Sequence, residues 1–161
     1  MTETINITGG ILAGGAGARF GGVDKGWVEF QGRPFIEWTL DALRPQVDEV
    51  LISANRHLER YAALGARVLP DVPSASSEGP FAGMVQLLGA ATRDWLICVP
   101  CDALVLPSDL AARLMQLAQA EGADIAVLAD ESGIHPTFCL MRTALAQGAQ
   151  DAFDQGERAP R

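Results

Sequence analysis

Short apolar runs alternate along this chain with stretches whose apolar positions recur every three or four residues, and that rhythm predicts its elements. Residues 5–13 read as a buried strand feeding a glycine-rich segment. Pro34 opens a helix on which Phe35, Trp38 and Ala42, with Ile36, Leu40 and Leu43 beside them, form the apolar face. Residues 50–54 are a second strand, 58–64 a short helix stopped by Gly65, and 67–69 a third strand ending at Pro70-Asp71. The Ser- and Pro-rich residues 72–79 form a loop. Pro80 starts a helix through 91, and 95–99 is a strand that ends in Pro100-Cys101-Asp102. Ser108 is the expected N-cap of a helix reaching Glu121. A strand at 125–128 follows, then a turn at Ser132-Gly133 and a short strand at 137–140 introduced by His135-Pro136.

Repeated strand-helix alternation with apolar strands predicts a three-layer α/β/α, Rossmann-like domain around a mostly parallel sheet, one domain over residues 1–161. Ligands of such sheets bind beyond the carboxyl ends of the strands. The glycine-rich segment, Ser53-Ala54-Asn55, Asp71 and Asp102 all fall at predicted strand ends, so the fold class gathers them on one rim.

The glycine-rich segment, Leu12-Ala13-Gly14-Gly15 through Lys25-Gly26, also holds the chain's one lysine, against eleven arginines. Glycines let backbone N–H groups approach an anion closely, and lysine adds a compact charge that the planar guanidinium does not reproduce. Together with Arg19 this points to a phosphate-binding loop rather than a merely flexible one. It is neither common signature: from Gly15 and Gly17 the third position of a dinucleotide fingerprint falls on Phe20, and Lys25 lies between Asp24 and Gly26 rather than before Ser or Thr. A dinucleotide-binding redox domain would also need an acidic residue after the second strand, where Ser53-Ala54-Asn55 offers none.

Composition narrows the classes further. The 161 residues are 48% hydrophobic and 20% charged, which is ordinary for one globular domain. A net charge of −8 with scattered arginines argues against an extended nucleic-acid or membrane footprint. The first residues have neither a basic nor an apolar leader region, and an odd count of three cysteines is no disulfide framework. A cytoplasmic protein is expected. Cys98-Val99-Pro100-Cys101 matches a redox motif in spacing, and His135 and Cys139 would add zinc-ligand types. We read neither as such, because Cys98 lies within an apolar strand and Asp102 raises rather than lowers a neighbouring thiol pKa. Trp27, Trp38 and Trp95 are read as core or lining residues.

With Leu12-Ala13-Gly14-Gly15, Gly21-Gly22-x-Asp24-Lys25-Gly26, Asn55-Arg56-His57, Gly79-Pro80-Phe81-Ala82-Gly83, Pro100-Cys101-Asp102 and His135-Pro136 in this order, the chain resembles the molybdenum cofactor guanylyltransferases over nearly its whole length. The resemblance implies a nucleotidyltransferase fold and transfer of GMP from GTP to the terminal phosphate of molybdopterin, giving the guanine dinucleotide and pyrophosphate. It implies a nucleotide site at Leu12, Ala13, Gly14, Gly15, Lys25, Asn55, Gly79, Pro80 and Gly83, with Arg19, Lys25 and Asp102 catalytic and Mg²⁺ on Asp102. His135 falls near the acceptor. Ser53 departs from the Asn-x-Asn pattern common in the family, which weakens or removes that contact. Cofactor-delivering and cofactor-accepting proteins are implied as transient partners.

Residue chemistry agrees with this reaction. A phosphate monoester is already largely ionised near neutral pH, so the site needs charge and alignment at the α-phosphate more than a strong base. Mg²⁺ favours one or two carboxylates plus phosphate oxygens and water, which suits Asp102, although an Asp in that position also caps helices. Asp71, an acceptor-only side chain, suits the N1–H and N2–H₂ donors of guanine. The family continues beyond this point with a final strand and helix, whereas this chain stops at Ala159-Pro160-Arg161. Missing C-terminal elements are therefore expected. Cytidylyl transfer to molybdopterin, sugar-phosphate nucleotidyl transfer, and GTP binding without catalysis remain the alternatives.

Overall fold

The computed structural model describes residues 6–14, 24–70 and 80–156. Their main sheet has six strands: β1 (Ile7–Leu12), β4 (Glu49–Ser53), β5 (Arg67–Leu69), β6 (Trp95–Pro100), β7 (Ile125–Asp130) and β8 (Gly133–Arg142). A two-stranded ribbon, β2 (Glu29–Phe30) and β3 (Arg33–Pro34), stands apart from it. The order across the main sheet is β5-β4-β1-β6-β8-β7. β1 pairs in parallel with β4 and β6, and β4 with β5, while β8 runs antiparallel between β6 and β7. The mostly parallel α/β sheet expected from the alternation is present.

Five α-helices complete the described fold: α1 (Phe35–Leu43), α2 (Leu58–Ala62), α3 (Pro80–Ala90), α4 (Leu110–Glu121) and α5 (Ala146–Asp154). Successive side chains of a strand point to opposite faces, and β6 shows what this does here. Trp95, Ile97 and Val99 join the cluster containing Leu40 and Leu43 of α1 and Leu110 and Leu114 of α4. Leu96 and Cys98 join the opposite cluster, with Met84, Leu87 and Leu88 of α3. Each face of the sheet is thus closed by helices, and α5 packs on α3 through an edge-to-face contact of Phe153 with Phe81.

Three sequence expectations need correction. The buried side of α1 is Ile36, Thr39, Leu40 and Leu43, whereas Phe35 and Trp38 stay half-buried. The ribbon explains this: Phe30 packs against both aromatic rings, Trp38 donates its indole N–H to the Phe30 carbonyl at 3.0 Å, and the Arg33 guanidinium stacks on Trp38. Ser108 does not cap α4, which begins at Leu110 with Asp109 before it. The buried N–H of Ala111, which has no partner within the helix, donates instead to Gln46 Oε1 at 2.9 Å, a partner from 65 residues away. Finally, β8 starts at Gly133 rather than Thr137. Its pairing with β7 jumps from Val127↔Cys139 to Leu128↔His135, so Pro136 falls in an irregularity where a missing N–H costs no ladder bond.

Candidate active site

Parallel pairing brings the carboxyl ends of β1, β4 and β6 level, with Leu12 opposite both Ser53 and Pro100. The chain stays laced just beyond: Ala13 N–H donates to the Ser53 carbonyl, Cys101 N–H to that of Leu12, and Ala54 N–H to that of Leu69. Gly14, Asn55 and Asp102 therefore leave the sheet side by side. Asn55 Nδ2 donates to the Gly14 carbonyl at 2.7 Å, tying the exit of β4 to the start of the glycine-rich segment. The Thr39 hydroxyl donates to the Cys101 carbonyl at 2.8 Å and so fixes the backbone that carries Asp102.

On this rim two of the three candidate catalytic side chains meet. Lys25 Nζ lies 2.8 Å from Asp102 Oδ2, with side-chain exposures of 32% and 31%. The pair is open enough for a phosphate to reach, yet close enough that either charge feels the other's loss. A cation already sits against Asp102, so the carboxylate faces a position that accepts positive charge. Among the described residues no group of three or more His, Cys, Asp or Glu is arranged to hold a metal. A divalent ion here would rely on Asp102 together with ligand phosphate oxygens, which is how Mg²⁺ is commonly held in phosphoryl-transfer sites.

Asp24, next to Lys25, is only 3% exposed. One of its carboxylate oxygens accepts from the Tyr61 hydroxyl at 2.6 Å and from Gly26 N–H at 3.3 Å, and the other lies 3.0 Å from His57 Nδ1. Burial first, and then the hydrogen bond to Asp24, push the Tyr61 phenol far above its usual pKa, so it remains a donor. Gly26 is packed so closely that a Cβ there would overlap the Tyr61 hydroxyl. Sequence reasoning quoted Asp24 and His57 within motifs but assigned them nothing, and it passed over Tyr61. The available signal was that Tyr61 is the chain's single tyrosine, placed on a helix too short to need it for its own sake.

The other expected residues divide. Leu12, Ala13 and Gly14 stand at the rim, and Pro80 and Gly83 form the first turn of α3. A Cβ on Gly83 would press on Leu12 and on Ser53 Oγ, so the glycine lets α3 approach the strand ends. Ser53 is 1% exposed and lies in the floor of the site rather than on its surface. His135 belongs to the β7–β8 hairpin, where Nε2 pairs with Asp130 at 2.9 Å and lies 3.3 Å from Ser132 Oγ. The Ser132 and His135 hydrogen bonds hold the Asp130 carboxyl down at about 2. Antiparallel pairing directs the Gly133 end of β8 toward the side on which β6 ends, which is the side of Asp102. Gly15, Arg19, Asp71 and Gly79 lie outside the described residues.

All three cysteines are buried and free. Burial, then the Asp102 charge, push the Cys101 thiol up to about 12, and Cys98 is raised by its hydrogen bond with Cys139 and by burial. At pH 8 these two thiols stay protonated, so iodoacetamide should label them far more slowly in the native protein than after denaturation. Rapid native labelling of Cys101, read by peptide mass spectrometry, would revive the redox reading.

The MobA-like NTP transferase domain family matches residues 9–160. A molybdenum cofactor guanylyltransferase of Acidovorax sp. (strain JS42) is 47% identical over 166 residues, covering 97% of this chain and 78% of the relative. The chain belongs to the molybdenum cofactor guanylyltransferase family. A second member of the family, from Shewanella woodyi, is 42% identical over 96% of this chain and 79% of its own length. Solved structures extend the likeness in fold. The molybdopterin-guanine dinucleotide biosynthesis protein A of Archaeoglobus fulgidus superposes with a TM-score of 0.76 at 20% identity, over 94% of this chain and 75% of that one. The 2-C-methyl-D-erythritol 4-phosphate cytidylyltransferase of Thermus thermophilus follows at 0.65 and 23%, over 94% and 79%. The family thus shares its architecture with transferases of other nucleotides. Among the described residues no helix is long and apolar enough to cross a membrane.

Proposed function

We propose that this chain transfers GMP from GTP to the terminal phosphate of molybdopterin and releases pyrophosphate. The observation that carries the reading is the Lys25–Asp102 pair at the carboxyl rim, beside the exit of β1 into the glycine-rich segment. In the reaction an acceptor phosphate oxygen bonds to the α-phosphorus of GTP as the bond to the bridging oxygen of the β-phosphate breaks. Because that acceptor oxygen is already ionised, the chain's task is to align two anions and offset their charge. Lys25 supplies a movable ammonium for the GTP phosphates, and Arg19 is assigned the same role of offsetting phosphate charge. Asp102 would hold Mg²⁺, which when bound neutralises phosphate charge. Asn55 keeps Gly14 in place. Ser53 acts through the floor that it forms with Gly83, not through a direct contact. Asp71 is assigned to the guanine edge and His135 to the acceptor side of the rim.

The reading is tested by incubating the protein with GTP, molybdopterin and Mg²⁺ and following both the guanine dinucleotide and pyrophosphate. Preferential use of CTP would move the chain to cytidylyl transfer. GTP binding without pyrophosphate release would make it a binding module. A simpler check is thermal: GTP at about 100 times its Kd stabilises the native state by roughly 2.7 kcal/mol, which for a domain of this size raises Tm by about 5 to 10 °C. ATP, CTP and UTP at equal concentration should shift it far less, and an equal shift with CTP counts against guanine.

A further inference from the structure

Residues 24–27 are seated as a unit on α2, although nothing in their own sequence requires it. Asp24 would be an isolated buried charge if its oxygens were not met by donors. Among the described residues, two of the groups that meet it, Tyr61 and His57, come from the segment that follows β4. His57 adopts φ +54°, a left-handed conformation uncommon for a side chain of its size, while its ring engages Asp24. Trp27 packs on Tyr61 with ring centroids 5.2 Å apart, and the Arg60 guanidinium lies 4.0 Å from the Trp27 ring centroid on the same helix. The segment bearing His57 and Tyr61 begins with Asn55, which is bonded to Gly14. The backbone of Lys25 is thereby referred to the start of the glycine-rich segment on one side and, through its ammonium, to Asp102 on the other.

We propose that Asp24, held by Tyr61 and His57, is a positioning residue for Lys25 that fixes the lysine backbone so that the ammonium meets the transferring phosphate. This rests on the guanylyl transfer proposed above. It accounts for Asp-Lys-Gly as a working triplet: the acid docks on α2, the lysine projects to the rim, and the glycine leaves room for the Tyr61 hydroxyl that the acid needs. Loss of the docking lets Lys25 wander from Asp102, and misplacement of a charge by about 1 Å can cost on the order of 10²-fold in rate.

Because Lys25 is the only lysine, its position can be read without any turnover. The rate of amine labelling on the peptide between Arg19 and Arg33 is measured in the free protein, with the N-terminal amine as reference, for wild type, Tyr61→Phe, His57→Asn and Asp102→Asn. The first variant removes one donor and keeps the ring. The second removes the imidazole and leaves a residue that tolerates positive φ; its site is exposed, so it folds even if Tyr61→Phe does not. Asp102→Asn breaks the ion pair directly and sets the upper limit. Labelling should rise about two- to fivefold in both docking variants, approaching that limit. In steady state, kcat should fall by about tenfold or more while KM for GTP changes little, the pattern of a group that acts on the transition state. Unchanged labelling and unchanged kcat in folded variants, even with a lowered Tm, would overturn the proposal and leave Asp24 a structural anchor. If wild type makes no guanine dinucleotide, the functional reading fails on its own and the labelling still decides the positioning.

Discussion

Lys25→Ala is expected to lower guanylyl transfer by about 10² to 10³, the usual cost of deleting one preorganised charge aimed at a transferring group. The loss should fall mainly on kcat. The fold should survive, because the pair with Asp102 is about one-third exposed and such pairs contribute only ~0 to 1 kcal/mol. Lys25→Arg should recover only part of the rate: the guanidinium is a wide, flat fork, and the neighbouring backbone is held close to Tyr61 by Gly26. Steady-state pyrophosphate release with circular dichroism as a fold control checks both variants. A Lys25→Ala enzyme within about threefold of wild type would remove the lysine from the transition state, since one ordinary surface charge accounts for that much. Protection of Lys25 from amine labelling by saturating GTP gives an independent view of the same contact.

Asp102→Asn should abolish Mg²⁺-dependent turnover while leaving the protein folded. The substitution is nearly isosteric and exchanges a charged oxygen for an amide, which is a poor ligand for a hard cation. Lys25 Nζ sits against Asp102 Oδ2, so a cation held by that carboxylate competes with the ammonium for it. The variant therefore separates two effects. Its Tm should still rise with GTP alone, but the further rise that Mg²⁺ gives wild type in the presence of GTP should vanish. Turnover retained with the same Mg²⁺ dependence would show that Asp102 holds no metal.

Much of the fold was legible because its central strands are short apolar runs between helical repeats, a pattern set by local burial. Strand β5 was read to the residue, and β4 and β6 within one. What escaped was set by distant partners. The aromatic side of α1 looks like a core face until the β2–β3 ribbon covers it, and the cap of α4 comes from Gln46. A bulge carries β8 back through a proline that on local grounds ends it, and α5, whose apolar residues are only three alanines and Phe153, was not anticipated. The site divides in the same way. Lys25 and Asp102 stood out by rarity and by position at strand ends, whereas the Asp24, His57 and Tyr61 cluster arises only when α2 folds against the segment around Lys25. That Ser53 lies beneath Gly83 was equally invisible, since no local rule says which side of a strand end faces a helix.

The register of the central strand sets an order of events during synthesis. β1 is made first, but its partner β6 follows 88 residues later, with Ile7 opposite Trp95. At about 5 to 20 residues per second the ribosome needs roughly 4 to 18 s to supply that partner. For that interval one edge of β1 is unpaired, and contacts of such long separation also slow folding once the chain is complete. Asp102 lies two residues past β6. Lys25 is therefore translated well before the carboxylate that it meets, and the nascent chain has no assembled rim on which a nucleotide could act as a folding template until β6 and Asp102 have been made.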